Sequence, residues 1–441
     1  MHQIRDPVHG FIDISLPELK IIDTAPFQRL RHIKQLASTY LVYPGAEHTR
    51  FGHSLGVMHL VSKAYDSALA NYKASHGENL FGETKEKWHR QILRLIALTH
   101  DLGHAPFSHA TESLFDGGTE HEDFTKEIIF KTEIAVLIKE IGVKFRKDHP
   151  DGDKLDIISP ELLWLIYGEK NPELDPSYIM PEFKFLKSFM DGELDCDKMD
   201  YLLRDSHYCG VDYGKYDLSR LLSSLCVYKN EDDNILQLSI NHSGIHALEQ
   251  FVLARYFMFT QVYFHKTRRF LDKLLAESIS DVLPDGKYPT DVAEYLKWDD
   301  QLVIGKLREN QEKSEAGRRF LNRQVMSCIH ESKTHGDDSD KLIHNIGLKE
   351  LKKELKCEIF GDTADKLAHK IPSSKLGDIE NGIGIPVMVP NNDKPENVLD
   401  KSILLKSLLD KSINIKRLYT EKEFSQTAKE LMKDLIRACS H

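Results

Sequence analysis

The sequence predicts a mainly α protein: a helical bundle over residues 1–285, followed by a smaller α+β lobe over residues 286–441. Three observations carry that prediction. Apolar residues recur at helical spacing through long stretches of the first two thirds. Strand-like runs are short, at Leu236–Ile240 and Ile385–Val389. The hydrophobic fraction, 41% against 29% charged residues, is enough for a sizeable core and too much for a disordered chain.

Leu55, Met58, Leu60, Val61, Ala64 and Ala68 place a helix over residues 52–72. Ile92, Leu95, Ile96 and Leu98 place a largely buried helix over 86–100, which Gly103 and Pro106 break. Glu122 to Ile141 reads as one amphipathic helix with Gly142 as its stop. Residues 146–160 read as a polar loop. Ile245 to Leu283 reads as one long helix, bent or broken on the way. The run NEDDN, starting at Asn230, is a hairpin turn ahead of Leu236–Ile240. Residues 331–341 and 389–400 read as exposed loops. Asn381–Gly384, with Ile385, resembles a glycine-rich phosphate loop but lacks its lysine and its helix, and reads as a turn before a strand.

Lys plus Arg number 59 and Asp plus Glu 69, a net charge of −10. That balance argues against a partner of long nucleic acid or anionic membrane, while leaving room for a local basic pocket. No apolar run is long enough for a membrane-spanning helix, and MHQIRDPVHGF lacks the apolar stretch of a secretory signal. The six cysteines form no CxxC pair, which excludes a zinc ribbon or disulfide scaffold and fits a cytoplasmic protein.

The chemistry concentrates in THDLGHAPFSH, Thr99 to His109. His100 and Asp101 are adjacent where an apolar helix ends. An imidazole and a carboxylate side by side can reach one cation if the backbone is leaving helical geometry, and Gly103 is expected to supply that break. His53, in RFGHSLG, and Asp197, in DCDKMDYLLRD, each stand at a helix start. Together the four offer two imidazoles and two carboxylates to one divalent metal, a set that suits manganese, iron, zinc or magnesium. Such a site lowers the pKa of a water near neutral pH. His104, His109 and His121, with Glu112 among them, crowd the same segment.

These residues lie in six segments: DPVHGFI (Asp6–Ile12), DTAPFQRLRHIKQL (Asp23–Leu36), YPGAEHTRFGHSLGV (Tyr43–Val57), THDLGHAPFSHATE (Thr99–Glu112), DCDKMDYLLRDSHYCG (Asp195–Gly210) and VYFHKTRR (Val262–Arg269). In content and order they resemble the HD-domain deoxynucleoside triphosphate triphosphohydrolases, the family of the vertebrate enzyme with a sterile-alpha-motif domain and its bacterial relatives. With no such domain ahead of Met1, the chain is similar to the shorter bacterial type. The C-terminal third resembles the family only weakly.

The resemblance implies an HD-type helical bundle and water attack at the α-phosphorus of a dNTP, giving deoxynucleoside and inorganic triphosphate. It implies that His53, His100, Asp101 and Asp197 hold the metal, with further Mg carried by the nucleotide. His109 would protonate the leaving 5′-oxygen, oriented by Glu112, and His104 and His121 would contact the phosphates. Arg50, Lys198, Arg255 and Lys266 would bind the triphosphate, the last two expected on one helix face. Gln35 and Asp205 would bind the 3′-hydroxyl, Tyr201 would exclude a 2′-hydroxyl, and Tyr263 would stack on sugar or base. Asp23, Gln28, Arg31 and Arg220 match a second, allosteric site for GTP or dGTP. Phe259 stands where the vertebrate enzyme has a histidine, and Arg5, Asn241 and Ser243 depart from its effector site. The family further implies a homo-oligomer, a dimer or tetramer.

Other readings are weaker. Gly52-His53-Ser54-Leu55-Gly56 matches the G-x-S-x-G elbow of serine hydrolases but follows no apolar strand. An HD phosphohydrolase with another cut, a monophosphatase or a nuclease, and a non-catalytic nucleotide sensor are the remaining alternatives.

Overall fold

The computed structural model describes residues 2–168, 180–230, 235–369, 371, 384–390 and 394–439. It is mainly α, with three small sheets. The turn at residues 231–234 and most of the glycine-rich run at 381–383 lie outside the described residues.

A hairpin of β1 (His2–Asp6) and β2 (Gly10–Ile14) opens the chain, pairing Asp6 with Gly10. Gly10 has φ +76, a turn conformation an L side chain resists. Helix α1 (Leu16–Ile22) starts on a capping box between Ser15 and Glu18, and α2 (Ala25–Arg29) on the Thr24 side chain.

The bundle is built around α3 (Arg50–His76). Its expected apolar positions, from Leu55 to Ala68, are all at most 2% exposed. Gly77, at φ +78, stops it in the left-handed conformation glycine favours. Helix α4 (Glu83–Thr99) packs along α3 with Ile92, Leu95, Ile96 and Leu98 buried.

The stretch expected as one helix over 122–141 is two: α5 (His121–Lys131) and α6 (Glu133–Asp148). Thr132 makes the break, because its hydroxyl accepts the Ile134 amide and donates to the Ile128 carbonyl, capping both ends. Gly142 stops nothing. It lies inside α6, where a Cβ would meet the Ile158 carbonyl oxygen at 2.3 Å, so it serves close packing.

Helices α7 (Pro160–Tyr167), α8 (Pro181–Lys187), α9 (Cys196–Cys209) and α10 (Leu218–Ser224) follow. Strands β3 (Leu225–Asn230) and β4 (Ile235–Asn241) pair antiparallel, Leu225 opposite Ile240. The long helix expected over 245–283 is broken. Helix α11 (Ile245–Met258) passes through a π turn at Phe259–Tyr263, and α12 (Lys266–Ser280) restarts on the His265 side chain.

Short helices α13 (Val292–Tyr295), α14 (Asp300–Glu309) and α15 (Glu315–Leu321) lead into the lobe. There β5 (Ser327–Glu331), α16 (Asp338–Leu355) and β6 (Ile359–Leu367) precede β7 (Pro386–Met388), β8 (Glu396–Asn397), β9 (Ser412–Thr420) and the closing α17 (Ser425–Cys439). Strand β9 is central to an antiparallel sheet of order β5-β9-β6, and β7 adds to β4 in parallel. An aromatic cluster of Phe107, Phe115, Phe124, Tyr288, Tyr295, Trp298 and Phe320 packs beneath the THDLGHAPFSH loop. Among the described residues no helix is long and apolar enough to cross a membrane.

Candidate active site

Helix α4 ends at Thr99, and His100 caps it with its backbone still helical (φ −59, ψ −32). The turn that follows does not depend on a left-handed glycine. Gly103 is needed because α5 crosses above it: a Cβ there would meet the His121 carbonyl oxygen at 2.0 Å and the Thr125 amide at 2.3 Å.

His100 Nδ1 lies 2.8 Å from the Ala97 carbonyl, so it carries the proton and leaves Nε2 as a free lone pair. That Nε2 is buried and takes no hydrogen bond. It lies 3.4 Å from Asp101 Oδ1 and 3.7 Å from Asp197 Oδ1. His53 Nε2 lies 2.9 Å from the same Asp197 oxygen and 3.6 Å from Asp101 Oδ2. The donor atoms of His53, His100 and Asp101 fall within 4.8 Å of one another. An orphaned imidazole nitrogen, a second imidazole and the Asp101 carboxylate, with the Asp197 carboxylate against the two imidazoles but outside that 4.8 Å group, fit a divalent cation. The electrostatics agree. Burial would lower His53, but its bonds to Asp197 and Asp200 outweigh that and push it up to about 10. Burial opposes the charge of Asp101 as well, yet Arg50 and the neighbouring imidazoles hold it well below the carboxylate range. The pocket favours positive charge.

One residue that sequence reasoning missed organises this group. Asp200, one turn after Asp197 on α9, is fully buried. Its Oδ2 accepts from His53 Nδ1 at 2.8 Å, which presents Nε2 to the site. Its Oδ1 bonds His9 Nε2 at 2.6 Å, and both oxygens accept from Arg204, whose Nη1 reaches Asp6 at 2.8 Å. The DPVHG hairpin is thereby tied to the site. Gly56 permits the approach of α9 to α3, since a Cβ there would meet Asp200 Oδ1 at 1.9 Å.

A second group adjoins the first. His104 Nε2 lies 3.1 Å from Asp101 Oδ1. Beyond it, Glu112 Oε1 is 2.8 Å from His109 Nδ1 and 2.7 Å from His121 Nδ1. His109 and Glu112 share a 3₁₀ turn (Ser108–Leu114), in which residues three apart eclipse. His121 opens α5 and stacks on His104 with centroids 3.8 Å apart. His109 is 63% exposed, reaching out of a site whose other members are largely covered. Burial would raise Glu112, but the two imidazoles hold it below the usual carboxylate range. Burial, Arg50 and His121 push His104 well below the histidine range against the pull of Asp101. The turn is entered through Phe107 (φ 59) and Ser108 (φ 55), both left-handed. Each such residue costs roughly 1–2 kcal/mol, which the surrounding contacts must offset.

The residues expected around a nucleotide divide. Asp205 is buried and joins Tyr263 Oη at 2.7 Å to His48 Nε2 at 2.8 Å. Tyr201 packs edge-on to Tyr263. The Gln35 backbone N–H donates to the His48 carbonyl, and the buried Gln35 side-chain oxygen is unpartnered. His48, unforeseen in the sequence, is the centre that Asp205 and Gln35 share. Arg50 is buried, with Nη1 on Asp101 Oδ2 and Nε on Ser108 Oγ, both 2.7 Å. Lys198 pairs with Asp195 and donates to the Gly192 carbonyl. Arg255 is buried and donates to the Leu367 and Ala368 carbonyls at 2.9 and 2.5 Å. Lys266 is exposed at the first turn of α12. The π turn between them means that Arg255 and Lys266 share no helix face, contrary to their eleven-residue spacing.

Asp23, Gln28 and Arg31 lie around α2. Gln28 donates to the Ile22 carbonyl and accepts from Arg31 Nε at 2.8 Å, and Arg31 lies over the Phe51 ring at 3.4 Å. Arg220 is elsewhere, donating to the Ser243 carbonyl. Ser54 is fully buried inside α3, so G-x-S-x-G here forms no strand-to-helix elbow.

The sequence matches the HD domain over residues 50–173 and the HD associated region over 216–363. It is 31% identical over 352 residues to the uncharacterized protein YwfO of Bacillus subtilis, covering 74% of this chain and 71% of that protein. It is 32% identical over 397 residues to the deoxynucleoside triphosphate triphosphohydrolase SAMHD1 homolog of Dictyostelium discoideum, covering 86% of this chain and 66% of that one. The chain thus spans just under two thirds of that longer relative. The crystal structure of a hypothetical protein from Aquifex aeolicus shares the fold at a TM-score of 0.74 and 31% identity, over 97% of this chain and 99% of that one. A fold of this likeness, carrying His53, His100 and Asp101 in one buried cluster, belongs to the HD-domain phosphohydrolase family, with dNTP triphosphohydrolases among its relatives.

Proposed function

We propose that the protein hydrolyses dNTPs to deoxynucleoside and inorganic triphosphate. The observation that carries this reading is the adjacency of two groups: the His53–His100–Asp101 cluster and the His104–His109–Glu112–His121 cluster, bridged by Asp101 and His104. His53, His100, Asp101 and Asp197 would hold a divalent cation, which would supply Lewis acidity there. The chain's own residues do the rest. His109, exposed and held through Nδ1 by Glu112, offers its Nε2 proton to the leaving 5′-oxygen. An alkoxide needs that proton, so a positioned acid is worth about 10²–10⁴ in rate. His104 and His121 face the growing negative charge on the phosphoryl oxygens.

Asp205, Tyr263, Tyr201 and Gln35 form the proposed deoxyribose side. Arg50, Lys198, Arg255 and Lys266 form the proposed phosphate side. Lys198 and Arg255 would first exchange their present partners for phosphate, an observation that also favours a second reading, an HD phosphohydrolase acting on a smaller phosphoester. The same proposal assigns catalysis to residues 1–285 and support to the lobe over 286–441. It makes the protein a cytoplasmic homo-oligomer that a guanine nucleotide activates at Asp23, Gln28 and Arg31, with Arg220, which lies apart from them in one chain, supplied to that site by a second subunit. Its role would be to trim nucleotide pools or deprive phage of precursors.

Ion-exchange product analysis tests it. Each dNTP is supplied with Mn²⁺ and Mg²⁺, with and without GTP. Deoxynucleoside plus intact triphosphate is the expected result, and a GTP requirement would support the effector site. Monophosphate or single phosphates would replace the triphosphohydrolase reading with the smaller-ester one.

A further inference from the structure

Asp300 stands nearly 200 residues from the catalytic loop, at the first turn of α14, and is 5% exposed. It does not cap its own helix, because Asp299 does so by accepting the Leu302 amide at 2.8 Å. Its carboxylate is engaged instead by two other segments. Oδ1 accepts the Phe107 amide at 2.7 Å and Oδ2 accepts the Lys34 amide at 2.9 Å. Burial pushes its carboxyl up to about 7 against the pull of those two amides and of Lys34 and Arg29. Packing alone would be better served here by an apolar residue, so a buried carboxyl group needs another explanation.

The two amides explain it. Phe107 and Ser108 are consecutive left-handed residues without glycine, and His109 follows them directly. A conformation this unfavourable persists only where its surroundings over-determine it. The Phe107 ring is buried against Phe320, and Ser108 Oγ donates to the Lys34 carbonyl at 2.7 Å. Asp300 therefore clamps Lys34 and Phe107 to each other, and Ser108 closes the loop between them. The neighbouring segment adds to the clamp: Tyr295 Oη donates to the Gly103 carbonyl at 2.6 Å, and Arg29 joins the Trp298 carbonyl at 2.8 Å to that of His104 at 3.0 Å.

We propose that Asp300 is a positioning residue for the leaving-group acid: by accepting the Phe107 and Lys34 amides together, it holds the Phe107–Ser108 turn left-handed and so sets His109 against Glu112. The catalytic part of this statement rests on the proposed triphosphohydrolase reading; the structural part does not.

The test uses Asp300→Asn in the full chain, with its metal content checked against wild type. The amide keeps one acceptor oxygen but turns an NH₂ toward the other backbone N–H. Two readouts are taken. The first is hydrogen–deuterium exchange by mass spectrometry. Peptides holding Lys34 and Phe107–Ala110 should exchange about tenfold faster while α3 and α4 stay at wild-type rates. The second is leaving-group dependence. With a dNTP, kcat should fall about 10- to 100-fold with KM within about threefold, as a displacement of roughly 1 Å at an acid would produce. With bis(4-nitrophenyl) phosphate, whose phenolate departs without an acid, the rate should stay within about twofold of wild type. Equal losses on both substrates, with exchange raised throughout the bundle, would mean a merely structural residue and would overturn the proposal. So would wild-type exchange at Phe107 and wild-type kcat. If the wild-type enzyme cleaves neither substrate, the functional reading fails and the exchange result alone decides whether Asp300 holds the turn.

Discussion

Asp200→Asn isolates the orientation of one imidazole from the presence of the metal-site residues. The substitution keeps size and shape but removes a charge that four contacts share: His53 Nδ1 at 2.8 Å, His9 Nε2 at 2.6 Å, and Arg204 through Nε at 2.8 Å and Nη2 at 2.9 Å. Only one oxygen remains, and the new NH₂ faces Arg204 together with either His53 or His9. The His53 tautomer that points a lone pair into the site loses its anchor. Loss of such a partner typically weakens metal affinity by about 10- to 100-fold, or roughly 1.4–2.7 kcal/mol. The buried Arg204 loses one of its two carboxylate partners at the same time and keeps Asp6, so the stability cost should fall below the about 3–5 kcal/mol of a fully broken buried pair. Competition for Mn²⁺ against a fluorescent chelator reads the first effect, and urea unfolding of the metal-free protein reads the second. Wild-type Mn²⁺ affinity in Asp200→Asn would refute the reasoning, because it would mean that His53 is oriented without Asp200. A stability loss without an affinity loss would refute the orienting role equally and leave Asp200 only its ion pair with Arg204.

Three further predictions rest on the same geometry. Asp197→Ala should lose bound metal and turnover together, whereas His109→Ala should keep metal by elemental analysis and lose about 10²–10⁴ of the rate, and normal turnover in His109→Ala would remove it as the acid. Gly103→Ala should displace α5, since the new Cβ would lie 2.0 Å from the His121 carbonyl oxygen; a destabilisation of about 1–3 kcal/mol in urea unfolding is expected, with a wild-type midpoint counting against the close-packing account. Glu18 is buried and receives Arg94 Nε at 2.6 Å and Nη2 at 2.7 Å. Burial raises it, but Arg94 and Ser15 more than compensate, so its folded value lies below 4.5. Its contribution is therefore present above about pH 4.5 and lost as pH falls through the lower folded value, and Glu18→Gln should flatten the acid limb of the urea stability profile; an unchanged limb would assign acid sensitivity to other carboxylates.

Much of the fold was legible because helical periodicity is a local property. The apolar stripes of α3 and α4 are buried as their spacing demands, and the short runs before Ile240 and around Val387 are strands. What misled was punctuation. Gly142 looks like a helix stop but is a packing glycine, while Thr132, an ordinary residue in sequence, caps two helices. The candidate site divides the same way. His100 beside Asp101 is visible because adjacency is itself the signal. Asp200 could have been read from the Asp197, Asp200, Arg204 spacing on one helix. His48 carried no such mark, because its meaning comes from Asp205, 157 residues away.

The sequence by itself determined the helical class, the chemistry available to the site and the segments that carry it, since these follow from residue type and from periodicity within a few turns. Only the tertiary structure decided which side chains meet. It committed Arg255 to the carbonyls of Leu367 and Ala368, tied the N-terminal hairpin to His53 through Asp200, and brought the Asp300 carboxylate under the turn that presents His109. Those pairings depend on where distant backbones cross, and a buried polar group takes whichever partner that crossing brings within hydrogen-bond reach.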